Sequence, residues 1–299
     1  MVSETICISI ASYRDKDLVN TVQSCWESAN NKNNLFFSIV SQAEEIEHSD
    51  LSFIPQDQIR YVKYHWSDST GACWAREIAN RNIEQTYFLQ IDSHSRFKNN
   101  WDSLIVNNYK QAQNFWGNRI ILTQYPDPFQ IDWDNNKEVF SDLPTVRKLV
   151  PFWDPNCKML QAIHNWPDVI DTVNGDEIYF LSANSLFCLT TIMNEIPYDS
   201  NLYFTGEEPS LAIRAYTRGI RLVSPVVKFM YSNYNRANSK RPLHWDDHSK
   251  WWETDLKSYA RLKQFFNGED LGIYGIGSKF LYDQYQKIIG IDLTNPVGE

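Results

Sequence analysis

Asp92-Ser93-His94 is the part of this chain best equipped for chemistry. It ends the strongly apolar run Phe88-Leu89-Gln90-Ile91. If that run is a buried strand, Asp92 and His94 leave the core two residues apart on one face. A carboxylate and an imidazole so placed can hold a divalent cation. Ligands of open α/β sheets bind beyond the carboxyl ends of the strands, which is where this pair would stand. The plain alternative is a loop Asp beside a surface His.

Two further groupings could handle charge. Arg236, Lys240, Arg241 and His244 crowd into one short stretch of an otherwise acidic chain with net charge −9. Guanidinium groups bind phosphate oxygens bidentately, so a phosphate lid is one reading and a solvated charge run the other. Gly206-Glu207-Glu208 precedes a helical pattern, where acidic residues also serve as first-turn charges. Arg76 follows one turn after Gly71, at the start of another helical pattern.

The elements that must position these groups alternate. Thr5 to Ala11 carries Ile6, Ile8 and Ile10 at period two and reads as a strand. Residues 16–29 show Leu18, Val22, Cys25 and Trp26 at helical steps. Strands follow at 35–40, 59–64, 87–91 and 120–123, with helices at 71–85 and 101–115. This βα alternation predicts a Rossmann-like, largely parallel sheet flanked by helices. Residues 126–176 are rich in Pro, Asp, Asn and Trp with little periodicity, and are expected to be irregular. Residues 178–189 suit one or two strands, 207–218 a helix capped by Gly219, and 220–230 a strand in which Pro225 suggests an edge or a bulge. Residues 232–250 look like a mobile loop, and 251–299 begin as helix and continue punctuated by Gly.

Composition narrows the function. The acidic balance argues against a nucleic-acid binder working through bulk positive charge. Sixteen Tyr, sixteen Phe and eleven Trp suit either sugar-stacking faces or a large aromatic core. Cys7, Cys25, Cys73, Cys157 and Cys188 are scattered and odd in number, as in a reduced protein. The N-terminus enters a strand with no leader-like segment, and no apolar run is long enough to span a bilayer. A cytoplasmic protein is expected, and a peripheral membrane contact is compatible with that.

Three segments together resemble a known family. They are Ser9-Ile-Ala-Ser-Tyr-Arg-Asp15, then Gly71-Ala-Cys-Trp-Ala-Arg76 ahead of Asp92-Ser93-His94, then Pro197 to Glu208 leading into Ser210 to Gly219. Over roughly residues 5–250 the chain resembles the GlcNAc-transferase family that includes the enzyme modifying hydroxyproline on the Skp1 protein. More distantly it is similar to the polypeptide GalNAc-transferases. The resemblance implies an α/β GT-A fold with a mixed central sheet. It implies a UDP-sugar donor, most readily UDP-GlcNAc, a glycan or other hydroxyl-bearing acceptor, Mn²⁺ or Mg²⁺, and retention at the anomeric carbon. Bacterial relatives belong to surface polysaccharide synthesis.

On this resemblance residues 1–250 form the catalytic domain, with a nucleotide-binding half at 1–125 and an acceptor half with the lid at 126–250. Residues 251–299 are a helical extension. Ala11, Ser12, Tyr13 and Arg14 would cradle the uridine, and Asp68, Gly71 and Arg76 would line the donor. Ser93, Gly206, Arg236, Lys240 and Arg241 would complete the donor site. Glu207 matches the acidic residue near the transferred sugar, Glu208 is its catalytic neighbour or a helix-start charge, and Phe204 is an apolar wall. Asp92 and His94 match the metal ligands, but the usual third His is missing from Tyr231-Ser-Asn-Tyr-Asn-Arg236. Ser232, Asn233 or His244 are the candidates to replace it. His48, His65, His164 and His248 are expected to be structural.

Two rivals remain at this stage. A metallophosphoesterase-type hydrolase can also begin with Asp-x-His, but needs downstream Gly-Asp and Asn-His motifs that Asn174-Gly-Asp-Glu177 does not supply. A noncatalytic carbohydrate-binding protein would need neither a metal site nor a phosphate lid.

Overall fold

The structure is a computed structural model that describes residues 4–44, 48–135, 137–169 and 173–294. The first half runs β1 (Ile6–Tyr13), α1 (Leu18–Glu27), β2 (Leu35–Gln42), β3 (Ile59–Tyr64), α2 (Ala72–Ala79), β4 (Tyr87–Asp92), β5 (Ser95–Phe97), α3 (Trp101–Trp116) and β6 (Ile120–Thr123). Then come β7 (Asp127–Asp132), β8 (Lys137–Phe140), β9 (Arg147–Asp154), β10 (Met159–Val169), β11 (Glu177–Ile178), β12 (Ser185–Leu189) and α4 (Thr190–Glu195). The chain continues through α5 (Glu207–Thr217), β13 (Arg221–Val223), β14 (Met230–Ser232), α6 (Arg236–Ser239), α7 (His244–Asp247), α8 (Trp251–Phe266) and α9 (Lys279–Ile289).

The central sheet has eight strands in the order β11-β13-β6-β12-β4-β1-β2-β3. β4, β1, β2 and β3 are parallel, as the βα alternation predicts. The expected continuation from β4 to β6 is interrupted. β12 inserts between them, antiparallel to both, which makes the sheet mixed. Both faces of β1 are covered: Ile6, Ile8 and Ile10 are buried, and so are Cys7 and Ser9. The small polar face of the parallel half packs under α2, with Ser9 Oγ donating to Asn80 Oδ1 at 2.5 Å and Ser38 Oγ to the Ala79 carbonyl at 2.6 Å.

Residues 126–176 are not irregular. β7 and β8 form a hairpin that joins β14 and β5 in a four-stranded sheet, and β9 and β10 form a second hairpin. The stretch 232–250, expected as a mobile loop, contains the short helices α6 and α7 and is tied down by side-chain bonds. The C-terminal helices share the main core, where Leu262, Phe265, Phe266, Tyr282 and Tyr285 are buried with the sheet residues.

Candidate active site

Parallel pairing of β1 with β4 sets Ala11 opposite Asp92, so both strands deliver their ends to one edge of the sheet. Beyond β1 the chain turns at Arg14, whose φ of 47° is rare for a side chain of that size. The turn buries Asp15 against the segment after β4. His94 Nδ1 lies 2.8 Å from Asp15 Oδ2, and Ser93 Oγ donates to the same oxygen at 2.8 Å. Asp15 therefore fixes the imidazole and leaves its Nε2 facing Asp92 Oδ2 at 3.4 Å.

Behind the pair lies a buried ion network. Arg76 Nη2 donates to Asp92 Oδ1 at 2.8 Å, and its Nη1 donates to Glu207. The Tyr198 hydroxyl also donates to Glu207 Oε1, at 2.7 Å. Arg76 comes from α2, whose start requires Gly71. Its φ is +123°, and a Cβ there would lie 2.6 Å from the Tyr203 carbonyl oxygen. Glu207 comes from the first turn of α5.

The environment splits the charges. Burial opposes ionisation of Asp92, but His94 and Arg76 overcome it and hold the carboxyl well below its usual range. Burial likewise opposes the His94 cation, yet bonds to Asp15 and Asp92 lift the imidazole above its ordinary value. Burial dominates at Glu207 and raises it despite Arg76 and Tyr198. Glu208 is pushed by burial to about 7, although its Oε1 accepts the Ala183 N–H at 2.8 Å.

A cavity of about 250 Å³ opens over this network. Of the expected residues, Ala11, Tyr13, Gly71, Arg76, Asp92, Ser93, His94, Arg241 and His244 line it. Phe204, expected as an apolar wall, lines it too, and so do Asp15, Gln42, Ser69, Tyr203 and Trp245. Asp15 stood inside the quoted β1 motif without a role, and only pairing of β1 with β4 reveals one. Ser12 is buried with its hydroxyl unpartnered among the described residues. Asp68 is exposed in a turn, and its neighbour Ser69 faces the cavity instead. Glu207 sits behind Arg76, Gly206 packs against Leu262, and Glu208 points toward the start of β12.

The stretch after β14 closes over one side. Asp247 accepts from the Tyr13 hydroxyl at 2.9 Å and from Arg14 Nη1 at 2.6 Å. Arg236 pairs with Asp246, and Lys240 stands 4.2 Å over the Trp133 ring, so neither reaches the 250 Å³ cavity. Lys240 instead lines an adjoining cavity of about 530 Å³ with Arg14 and Arg241.

The expected third metal ligand is not assembled. His244 Nδ1 bonds the Tyr203 hydroxyl at 2.7 Å and its Nε2 the Ser69 carbonyl at 3.0 Å. Asn233 spends its N–H on the His94 carbonyl and its amide on Asn238. Ser232 is buried within β14. Among the described residues no group of three or more His, Cys, Asp and Glu is gathered for a metal. The Asp92–His94 pair still fits a cation. Bonds of about 2.1 Å place two adjacent donors about 3 Å apart, near the observed spacing. The remaining positions would fall to water and diphosphate oxygens. The His48 and His164 side chains lie outside the described set, whereas His248 bonds the Trp66 carbonyl at 3.2 Å as a structural residue.

Comparison with known proteins gives the family and the fold. The family model described as Glycosyltransferase (GlcNAc) matches residues 5–54 and 48–276. Among curated proteins none matches. Among solved structures, GalNAc-T7 with UDP, GalNAc and Mn²⁺ is similar at TM-score 0.65 and 14% identity. That match covers 98% of this chain, which spans 58% of the GalNAc-T7 chain. S. aureus TarS residues 1–349 with UDP-GlcNAc is similar at TM-score 0.55 and 11% identity, over 95% of this chain and 70% of that one. These likenesses establish the GT-A fold, a mixed sheet with flanking helices. With a family model matching most of its length, the chain belongs to the GlcNAc glycosyltransferase family.

Proposed function

We propose that this glycosyltransferase moves GlcNAc from UDP-GlcNAc to a hydroxyl-bearing acceptor, in a metal-dependent reaction that retains the anomeric configuration. The observation that carries the reading is the Asp15–His94–Asp92–Arg76–Glu207 chain of contacts at the shared end of β1 and β4. It offers one cation site and one fixed guanidinium to an anionic ligand. The structural relatives, solved with UDP, GalNAc and Mn²⁺ and with UDP-GlcNAc, support the same donor class.

Asp92 and His94 would hold Mn²⁺ or Mg²⁺, which supplies charge stabilisation to the departing diphosphate. Ala11 and Tyr13 form the wall for the nucleoside end. Arg241, which lines both cavities, adds a cation where phosphates would lie. Arg76 holds Glu207 just behind the cavity wall, where the carboxylate would steady positive charge developing on the sugar ring. The acceptor oxygen bonds to the anomeric carbon as the bond to the β-phosphate oxygen breaks, and the acceptor proton passes to that leaving oxygen. Phe204, half exposed and edge-on to Trp245 at 5.5 Å, walls the sugar side. A place in bacterial surface polysaccharide synthesis, and kinship with the Skp1-modifying branch, rest on the resemblance alone. A cytoplasmic setting rests on the scattered cysteines of the sequence; among the described residues no helix is long and apolar enough to cross a membrane.

The test is UDP release from a panel of UDP-sugars, with Mn²⁺ and with EDTA. Metal-dependent release from UDP-GlcNAc is expected. Release unaffected by EDTA would overturn the metal reading, and release from a different sugar would reassign the donor.

A further inference from the structure

A further cavity, of about 830 Å³, opens among β7, the β9–β10 hairpin and the segment after β14. Its walls differ in character from those of the donor site. Pro126, Val146, Ala162 and Ile163 supply aliphatic surface, and Tyr125 and Tyr234 supply two rings set edge to face, 6.5 Å apart. Three charged groups also line it: Lys228 Nζ lies 3.1 Å from Asp127, and Arg147 stands on the same lining.

Tyr234, on the wall of this cavity, is tied toward the donor site. Its hydroxyl donates to the Pro126 carbonyl at 3.0 Å and lies 3.4 Å from Asn184 Nδ2. Asn184 follows Ala183, whose N–H binds Glu208. Glu208 adjoins Glu207, which pairs with Arg76, and Arg76 pairs in turn with Asp92. Burial raises the Tyr234 phenol and the Asp92 and Glu208 carboxylates add to that, so both lie within electrostatic reach of it. Ser185, next to Asn184, pairs with Ile91, next to Asp92, so a molecule seated in the 830 Å³ cavity would extend toward the donor site past Tyr234.

We propose that this cavity is the acceptor subsite, and that it takes an acceptor whose hydroxyl is carried on an apolar or aromatic body rather than a free sugar. This rests on the transferase reading above. A free sugar needs a dense set of polar partners around its hydroxyls, whereas this lining is mainly aliphatic and aromatic, with Lys228 and Asp127 paired to each other and Gln124, Thr145 and Arg147 as its other polar groups. An aryl or alkyl body finds what it needs against Val146, Ala162 and the two rings.

The test uses 4-nitrophenyl β-N-acetylglucosaminide and free GlcNAc as probes, titrated by calorimetry into the full chain with UDP and Mn²⁺. Burying the aryl ring should make the glycoside bind at least about tenfold more tightly than the free sugar. Ala162→Trp, which fills the cavity, should erase that difference while UDP release from the donor alone is unchanged. Thr145→Trp, on another wall, serves if the first variant does not fold, and intact donor hydrolysis reports folding in both. Equal binding of the two probes, or a glycoside affinity unmoved by a filled cavity, would overturn the subsite. Failure of the transferase reading has a different signature: no metal-dependent UDP binding by the unaltered chain, whatever the glycoside does.

Discussion

Asp92 is held by two opposite partners at once, His94 and Arg76, and the two predict separable phenotypes. Asp92→Asn and His94→Ala should abolish metal-stimulated UDP release while leaving the far-ultraviolet dichroism intact, because Asp15 and Ser93 still hold the turn. Full metal-stimulated activity in either variant would remove the cation site. Arg76→Ala is a different experiment. It strands Glu207, whose side chain is 5% exposed, and breaking a buried pair from one side costs about 3–5 kcal/mol of stability. An unfolding free energy lowered by that amount, read from urea melts, is expected for Arg76→Ala. Glu207→Gln, which keeps the shape and neutralises the carboxylate, should lower turnover more than donor affinity. His244 carries the pH prediction. Burial pushes its imidazole down to about 4, with the stacked His248 ring 3.8 Å away adding to that and Asp247 opposing it. Tyr203 and the Ser69 carbonyl occupy its nitrogens, and the Tyr13 ring stands beside it. Its folded value lies below the unfolded one of about 6.5. The contribution of neutral His244 is therefore complete above pH 6.5 and is lost as pH falls toward 4. His244→Gln should flatten the decline in melting temperature over that window; equal slopes in the two proteins would remove His244 as the source.

The elements carry the site through two strand ends and two helix starts. The helix starts are the less forgiving. Gly71 opens α2 at a φ of +123°, with the Tyr203 carbonyl where a Cβ would sit. Gly71→Ala must move Tyr203 or withdraw α2, and either displaces Arg76 from Glu207. A drop in melting temperature together with loss of UDP affinity is expected; a variant stable and active as before would mean the contact yields freely. The parallel half of the sheet was legible because Ile6, Ile8 and Ile10 and the runs of β2 to β4 are apolar enough to be seen singly. The Asp92–His94 pair was legible for the same reason, since it stops such a run. β12 was visible as a strand, yet its place between β4 and β6 is a nonlocal pairing that no local period records. β7 to β10 were missed because their alternation is blurred. Pro151 lies inside β9, and β8 is mostly exposed, so neither shows a clean two-residue rhythm. Asp15 was missed because a carboxylate in a turn carries no signal until His94 is brought to it. Asp247 was missed because its partners, Tyr13 and Arg14, lie at the other end of the chain.

At the scale of the whole molecule, the boundary expected near residue 250 meets the core. α8 and α9 are built into the same apolar cluster as the sheet, with Leu262, Tyr282 and Tyr285 almost wholly buried. Their polar ties reach the catalytic half directly. Ser258 Oγ accepts the Tyr203 N–H at 3.0 Å, Arg261 pairs with Asp199 at 2.9 Å, and the Tyr285 hydroxyl donates to the Tyr179 carbonyl at 2.6 Å. Leu262 packs over Gly206, at the cap of the helix that begins with Glu207. These helices therefore hold Tyr203 and Glu207 in place, and a chain cut at residue 250 would expose the apolar surface under α5. The expected outcome is that residues 1–250 alone show no cooperative urea transition and no UDP binding. Leu262→Ala tests the same support within the full chain. Emptying that position should cost about 2–5 kcal/mol, and slackening the start of α5 should lower turnover more than donor affinity, as Glu207→Gln does. A cooperative, UDP-binding 1–250 fragment would instead make the C-terminal helices a dispensable extension. Loss of stability in Leu262→Ala with unchanged turnover would confine their role to the core.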